Sequence, residues 1–148
     1  MLQFKNNSIL VVGGTGFIGA NLIKRFLKFG AKVTCLSLKK KQSKIIHKNL
    51  KYVQCDYTKL SILKKKINKP FKYVVNLGGY IDHSKFFGQG RQVIDNHFLS
   101  TMNLLLSLKK DKLKRYVHIG TCDEYGENNS PVKENCKEDP ITSYAFAK

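Results

Sequence analysis

Three glycines, Gly13, Gly16 and Gly19, recur at three-residue spacing within Gly13-Gly14-Thr15-Gly16-Phe17-Ile18-Gly19. An apolar run, Ile9-Leu10-Val11-Val12, precedes them, and apolar residues at helical spacing follow: Phe17, Ile18, Leu22, Ile23, Phe26 and Leu27. A strand, a glycine turn and a helix in that order build a phosphate cradle. Gly13 permits the tight turn, Gly16 lets the main chain approach a pyrophosphate, and Gly19 lets the helix pack close to its strand. The helix start adds unpaired N–H groups and partial positive charge, presented by the main chain around Phe17 and Ile18. The spacing departs from the two-and-three pattern of the commonest dinucleotide fingerprint, so the motif draws its meaning from the flanking strand and helix. The expected ligand is a dinucleotide.

Such a cradle needs a scaffold, and the rest of the chain alternates apolar strands with helices. Strands are expected at Ser8–Gly14, Lys32–Leu38, Lys51–Cys55, Lys72–Leu77 and Arg115–Gly120. Helices are expected at Phe17–Phe29, stopped by Gly30; at Gln42–Lys48, weakly; at Thr58–Asn68, with Thr58 as N-cap; at Gln92–Lys110; and from Ser143 onward. A polar loop with Pro131 and Pro140 lies between Gly126 and Thr142. This alternation predicts an α/β doubly wound (Rossmann) parallel sheet with helices on both faces and ligands at the carboxyl ends of the strands. The candidate residues fall at those ends: the glycine turn, Ser37 to Lys40, Asp56, Gly78-Gly79 and Thr121.

Composition narrows the class. A chain of 148 residues with 42% hydrophobic residues is one domain with a real core. It has no apolar run long enough for a membrane span, and Met1 to Asn7 is polar, unlike a signal peptide. Cys35, Cys55, Cys122 and Cys136 show no metal-binding spacing, and the first two lie in expected strands. A reduced, cytoplasmic protein without a metal is the expectation. The net charge of +17 is almost all lysine, since Arg25, Arg91 and Arg115 are the only arginines. Specific nucleic-acid recognition recruits arginine forks, so the charge reads as a solvated surface and no specific nucleic-acid partner is expected.

The chain resembles the extended short-chain dehydrogenase/reductases, in their NAD-dependent epimerase/dehydratase branch. The matching stretches are the glycine turn, Cys55-Asp56, Asn76-Leu77-Gly78-Gly79, Asn96 with Asn103-Leu104-Leu105, Arg115 to Thr121, Tyr125-Gly126 and Tyr144-Ala145-Phe146-Ala147-Lys148. The resemblance implies that Tyr144 is the general acid/base, that Lys148 supplies charge and grips the nicotinamide ribose, and that Thr121 hydrogen-bonds the reacting sugar oxygen. Tyr144 and Lys148, four apart, share a helical face, and a nearby ammonium would lower the phenol's ionisation from about 10. The resemblance also assigns Asp56 to the adenine amino group, with Tyr57, Leu77, Gly78 and Gly79 along the coenzyme, and Asn96 to the central helix and proton path. His83 and His97 are expected to face solvent or satisfy local bonds.

Where an NAD enzyme carries an acidic residue for the ribose hydroxyl, this chain has Ser37-Leu38-Lys39-Lys40-Lys41. Ser37 and Lys39 therefore favour NADP over NAD. The family's 4,6-dehydratases carry an Asp-Glu pair directly after the catalytic threonine, whereas here Cys122 intervenes before Asp123-Glu124. The expected activity is a nucleotide-sugar 4-epimerase or 4-keto-reductase, with a 4,6-dehydratase or a non-catalytic NADP-binding module as alternatives. The substrate is a nucleotide-sugar. Family members continue for about as long again, so the sequence is expected to be the incomplete coenzyme-binding part (residues 1–148), lacking later strands and the substrate domain. It is expected to be inactive alone, with a homodimeric parent.

Overall fold

The computed structural model describes residues 4–38, 45–80 and 87–148. Five strands form one parallel sheet: β1 (Ser8–Val12), β2 (Lys32–Ser37), β3 (Leu50–Gln54), β4 (Tyr73–Asn76) and β5 (Arg115–His118). Their order is β3-β2-β1-β4-β5. The chain thus winds outward from β1 in one direction through β2 and β3, then crosses back to β4 and β5. The strand order reverses beside β1, and a crevice opens there at the carboxyl ends of the strands.

β1 is buried on both faces, so it reads as an uninterrupted apolar run. Alternate side chains serve opposite layers. Leu10 and Val12 join Leu36 and Val74 under Leu63 of α2 (Leu60–Lys66) and Leu104 of α4 (Ser100–Ser107). Ile9 and Val11 join Val33 and Cys35 under Ile23, Phe26 and Leu27 of α1 (Phe17–Lys28). Each such fully buried branched side chain contributes at most roughly 1.5–3 kcal/mol. Cys35 lies in this dry layer, where burial pushes its thiol up to about 11.

The helix stop at Gly30 is as expected. Gly30 has φ of 75°, its N–H donates to the Leu27 carbonyl, and the Ala31 N–H donates back to Phe26. Three other expectations are corrected. In the weak basic helix at Gln42–Lys48, residues 45–47 have no regular structure and Lys48 lies in a turn, while residues 42–44 lie outside the described part. α2 begins two residues after Thr58, because the Thr58 N–H and hydroxyl both donate to Asp56 Oδ1, at 3.1 and 2.7 Å. That local turn competes with capping. The long helix runs from α3 (Gly90–Ile94) through a π-helical turn (Asp95–Leu99) into α4 and ends at Ser107. Among the described residues, no helix is long and apolar enough to cross a membrane.

Candidate functional site

The glycine turn is built from backbone contacts too close for side chains. Gly13 has φ of 73°, and a Cβ there would lie 2.7 Å from the Leu77 carbonyl oxygen. The Gly13 N–H donates to Leu36 O and the Leu77 N–H to Val12 O, which ties the turn to β2 and β4. At Gly19 a Cβ would lie 2.5 Å from Gly13 O and 2.6 Å from the Gly14 Cα, so only glycine lets α1 seat on the turn. Gly16 differs. Its φ of −75° suits any residue, and a Cβ there would meet only Gly13 O, at 3.4 Å. What a side chain at Gly16 would enter is the crevice. The start of α1 has no side-chain cap and no acid in its first turn. Its positive end is thus available to an anion.

A cavity of about 440 Å³ extends from Gly13 and Gly16 across the ends of β2, β3 and β4, a volume within the usual range for ligand pockets. On its β2 side, the Ser37 hydroxyl meets the Thr15 hydroxyl at 2.9 Å. On its β3 side stand Asp56, Tyr57 and Thr58, and Asn103 of α4 braces this loop by donating to the carbonyls of Tyr57 and Thr58. The Tyr57 phenol packs against Gly78, where a Cβ would come within 2.5 Å of its hydroxyl. Burial, helped by the Asp56 charge, raises its pKa. Leu77, Gly78 and Gly79 close the β4 side, with Gly78 N–H held by Asn76 Oδ1 at 3.0 Å. Asn96, on the π turn, donates to the Tyr80 hydroxyl at 3.0 Å and also borders the cavity.

The second cluster lies beyond β5. Thr121 caps a 3₁₀ turn at Cys122–Tyr125. α5 (Ser143–Ala147) is capped by Thr142, whose Oγ1 accepts from the Ala145 N–H at 3.1 Å. α5 is short but not loose: Ser143, Tyr144, Ala145 and Ala147 are buried, and it packs on α3. Tertiary burial supplies what its length cannot. The Thr121 hydroxyl hydrogen-bonds the Tyr144 phenol. Burial raises the Tyr144 pKa, the Thr121 hydrogen bond opposes that rise, and the Asp123, Cys122 and Glu124 charges add to it. This corrects the expectation of a phenol lowered by its lysine. Burial lowers the pKa of Lys148 itself, with Glu124 opposing. Spacing along one turn places two residues on a face, but the environment decides their charge states.

Of the two expectations for His97, the solvent-facing one is overturned. The π turn carries it inward, to 3% exposure, edge-on to the Tyr144 ring at a centroid distance of 5.3 Å and an angle of 85°. It also faces the Tyr80 ring at 5.3 Å, and a Cβ on Gly79 (φ 139°) would lie 2.5 Å from its Cε1. His97 therefore forms the partition between the cavity wall at Gly79 and Tyr144. Behind it, buried Asn76 places its Nδ2 3.3 Å from Thr101 Oγ1, 3.3 Å from the Tyr116 hydroxyl and 3.1 Å from His118 Nδ1. Burial lowers the His118 pKa, as does the Lys148 charge, while a hydrogen bond to the Lys148 main chain and the Glu124 charge act the other way.

The cavity thus gathers Gly13, Gly16, Ser37, Asp56, Tyr57, Leu77, Gly78, Gly79 and Asn96 from the sequence expectations. Phe17 and Ile18 stand at the start of α1 with side chains 86% and 63% exposed and do not line the cavity. Gly19 packs beneath the turn, and Thr121, Tyr144 and Lys148 form the neighbouring cluster. Lys39, Lys40, Lys41 and His83 lie outside the described residues. Sequence reading missed Thr15, Tyr80, Ser100 and the inward His97. For Thr15 the signal was present, as a hydroxyl inside the glycine turn. For His97 none was, because a π turn rotates every later side chain by an amount that helical periodicity does not foresee.

The sequence model of the NAD dependent epimerase/dehydratase family matches residues 9–148. A UDP-glucose 4-epimerase of Rhizobium meliloti is 26% identical over 159 residues, covering 97% of this chain and 44% of that protein. A bifunctional UDP-glucose 4-epimerase and UDP-xylose 4-epimerase of Arabidopsis thaliana is 30% identical over 145 residues, covering 89% of this chain and 40% of that protein. The solved structure of the Bordetella bronchiseptica enzyme WbmG in complex with NAD superposes with a TM-score of 0.84 at 20% identity, covering 98% of this chain and 47% of that one. The chain spans less than half the length of the relatives it matches.

Proposed function

We propose, for a chain that belongs to the NAD dependent epimerase/dehydratase family, that residues 1–148 are the coenzyme-binding and acid–base part of a nucleotide-sugar 4-epimerase or 4-keto-reductase. One observation carries the reading: Tyr144, hydrogen-bonded to Thr121, packs on His97, which lies against Gly79 in the wall of a cavity that begins at a glycine turn. Family relatives are named for acting on UDP-sugars, which supports a nucleotide-sugar as substrate.

The cavity fits a dinucleotide. Gly16 leaves open the space that a Cβ would fill, and the uncapped α1 start faces it. Gly13, Gly16 and the main chain at Phe17 to Gly19 would hold the pyrophosphate, Asp56 and Tyr57 the adenine end, and Leu77 to Gly79 and Asn96 the stretch toward Tyr144. When bound, the nicotinamide supplies hydride transfer. The chain's own task is the proton. Tyr144, like any phenol, is neutral near neutral pH, and burial favours that form further, the form that can donate to a ketone oxygen. The Thr121 hydroxyl, by hydrogen-bonding the phenol oxygen, stabilises the phenolate left behind and so permits the reverse step. Neither role needs the paired carboxylates of a dehydratase, and Cys122 occupies the place of the first of them.

NADP is the preferred coenzyme in this reading. β2 ends at Ser37 with no carboxylate to repel a 2′-phosphate, and the paired Thr15 and Ser37 hydroxyls can donate to one. The test is a fluorescence titration of NADPH and of NADH with the purified chain, followed by addition of UDP-glucose. Saturable binding, tighter for NADPH, is expected. A flat titration with both coenzymes overturns the functional reading, and a tenfold preference for NADH overturns the coenzyme assignment alone. The protein carrying this segment is proposed to act as a homodimer.

A further inference from the structure

The turn after β5 holds a carboxylate that the proposed reaction does not use. Thr121-Cys122-Asp123-Glu124 forms a capping box. The Thr121 N–H donates to Glu124 Oε1 at 2.6 Å, and Thr121 Oγ1 accepts from the Asp123 N–H at 3.3 Å. The same Thr121 hydroxyl hydrogen-bonds Tyr144. Gly120 makes the closure possible, because a Cβ there would collide with Glu124 Oε1. Glu124 is only partly exposed, and the turn it closes packs against α5.

We infer that Glu124 is a positioning residue for the Thr121–Tyr144–Lys148 cluster: its carboxylate closes the turn that aims the Thr121 hydroxyl at Tyr144 and brings its charge into that cluster. Three titratable groups on two different elements, Tyr144 and Lys148 of the α5 segment and His118 of β5, feel this one carboxylate. Asp123 and Cys122 of the same turn also act on Tyr144. The Glu124 charge favours the ammonium form that burial of Lys148 disfavours. The assignment rests on the reading of Thr121, Tyr144 and Lys148 given above as the proton-handling group.

Three variants of the full chain separate the two roles. Glu124→Gln keeps an oxygen to accept from Thr121 N–H and removes the charge. Glu124→Ala removes both. Gly120→Ala keeps the charge and displaces it. Amide hydrogen exchange at Thr121 and the titration midpoint of the His118 ring are followed by NMR. Exchange at Thr121 is expected to accelerate roughly tenfold or more in Glu124→Ala, to accelerate in Gly120→Ala, and to stay near wild type in Glu124→Gln. The His118 midpoint is expected to fall in Glu124→Gln, because a charge that holds it up is gone. Unchanged Thr121 exchange in both alanine variants overturns the positioning role. An unmoved His118 midpoint in a folded Glu124→Gln protein overturns the electrostatic one. If Glu124→Ala does not fold, Gly120→Ala and Glu124→Gln decide the question. Coenzyme titration of the wild-type chain, run beside these, fails only if the functional reading itself is wrong.

Discussion

Gly16→Ala tests whether the glycine turn serves a ligand or merely the fold. The backbone at Gly16 is extended, and the nearest atom to an added Cβ is Gly13 O at 3.4 Å, an ordinary contact. Alanine should therefore fit, and restricting the unfolded chain should stabilise the protein by about 0.4–1 kcal/mol. For a domain of this size that is a rise in Tm of roughly 1–4 °C. The added methyl projects into the crevice beside the uncapped start of α1, where a pyrophosphate would need to approach the main chain. Displacing a charged group from N–H donors there should cost on the order of 1.5–3 kcal/mol, a loss of roughly tenfold to more than a hundredfold in affinity. Thermal unfolding and fluorescence titration with NADPH measure the two quantities on one sample. The expected result is a protein as stable as wild type or more so that binds coenzyme at least tenfold more weakly. Undiminished binding would refute the placement of the pyrophosphate, and a large loss of stability would refute the geometry of the turn.

Gly13→Ala should lose both properties, since its positive φ and the Leu77 carbonyl at 2.7 Å add strain of about 1–3 kcal/mol; thermal unfolding compared with Gly16→Ala checks this. In the whole protein carrying this segment, Tyr144→Phe should reduce sugar-dependent hydride transfer roughly 10²–10⁴-fold while leaving coenzyme affinity within a factor of about two, measured by steady-state assay and titration. Stability should fall as the pH drops below the ordinary histidine value of about 6.5, because the unfolded chain takes up a proton that folded His118 resists. His118→Gln should flatten that slope in denaturant titrations between pH 7 and pH 5. A thiol reagent at pH 7.5 should modify exposed Cys122 well before buried Cys35, as read by mass spectrometry, because the Cys35 thiol is both inaccessible and held at about 11.

The parallel sheet was legible because its strands are buried on both faces, and continuous runs such as Ile9-Leu10-Val11-Val12 have few other uses. Gly13 and Gly19 were legible for a related reason, as backbone lying 2.5–2.7 Å from where a Cβ would stand leaves no alternative residue. The alternation of strand and helix then placed Ser37, Asp56, Gly78 and Thr121 at one end of the sheet before any coordinate was known. What the local pattern could not convey was anything set by neighbours distant in sequence. Thr58 looks like a helix cap, yet it turns its donors to Asp56. The fourfold spacing of Tyr144 and Lys148 suggested a phenol lowered by an ammonium, but the packing of α5 against α3 buries the phenol, and desolvation outweighs the Thr121 hydrogen bond that opposes it. His97 reached the wall beside Tyr144 only because a π turn interrupts the helix. Sequence alone determined the order of elements and the end of the sheet where ligands gather, since periodicity and glycine sterics act over a few neighbouring residues. Tertiary structure decided which charges exist there and which side chains meet, because desolvation and Coulomb interactions depend on groups that the fold brings together from remote parts of the chain.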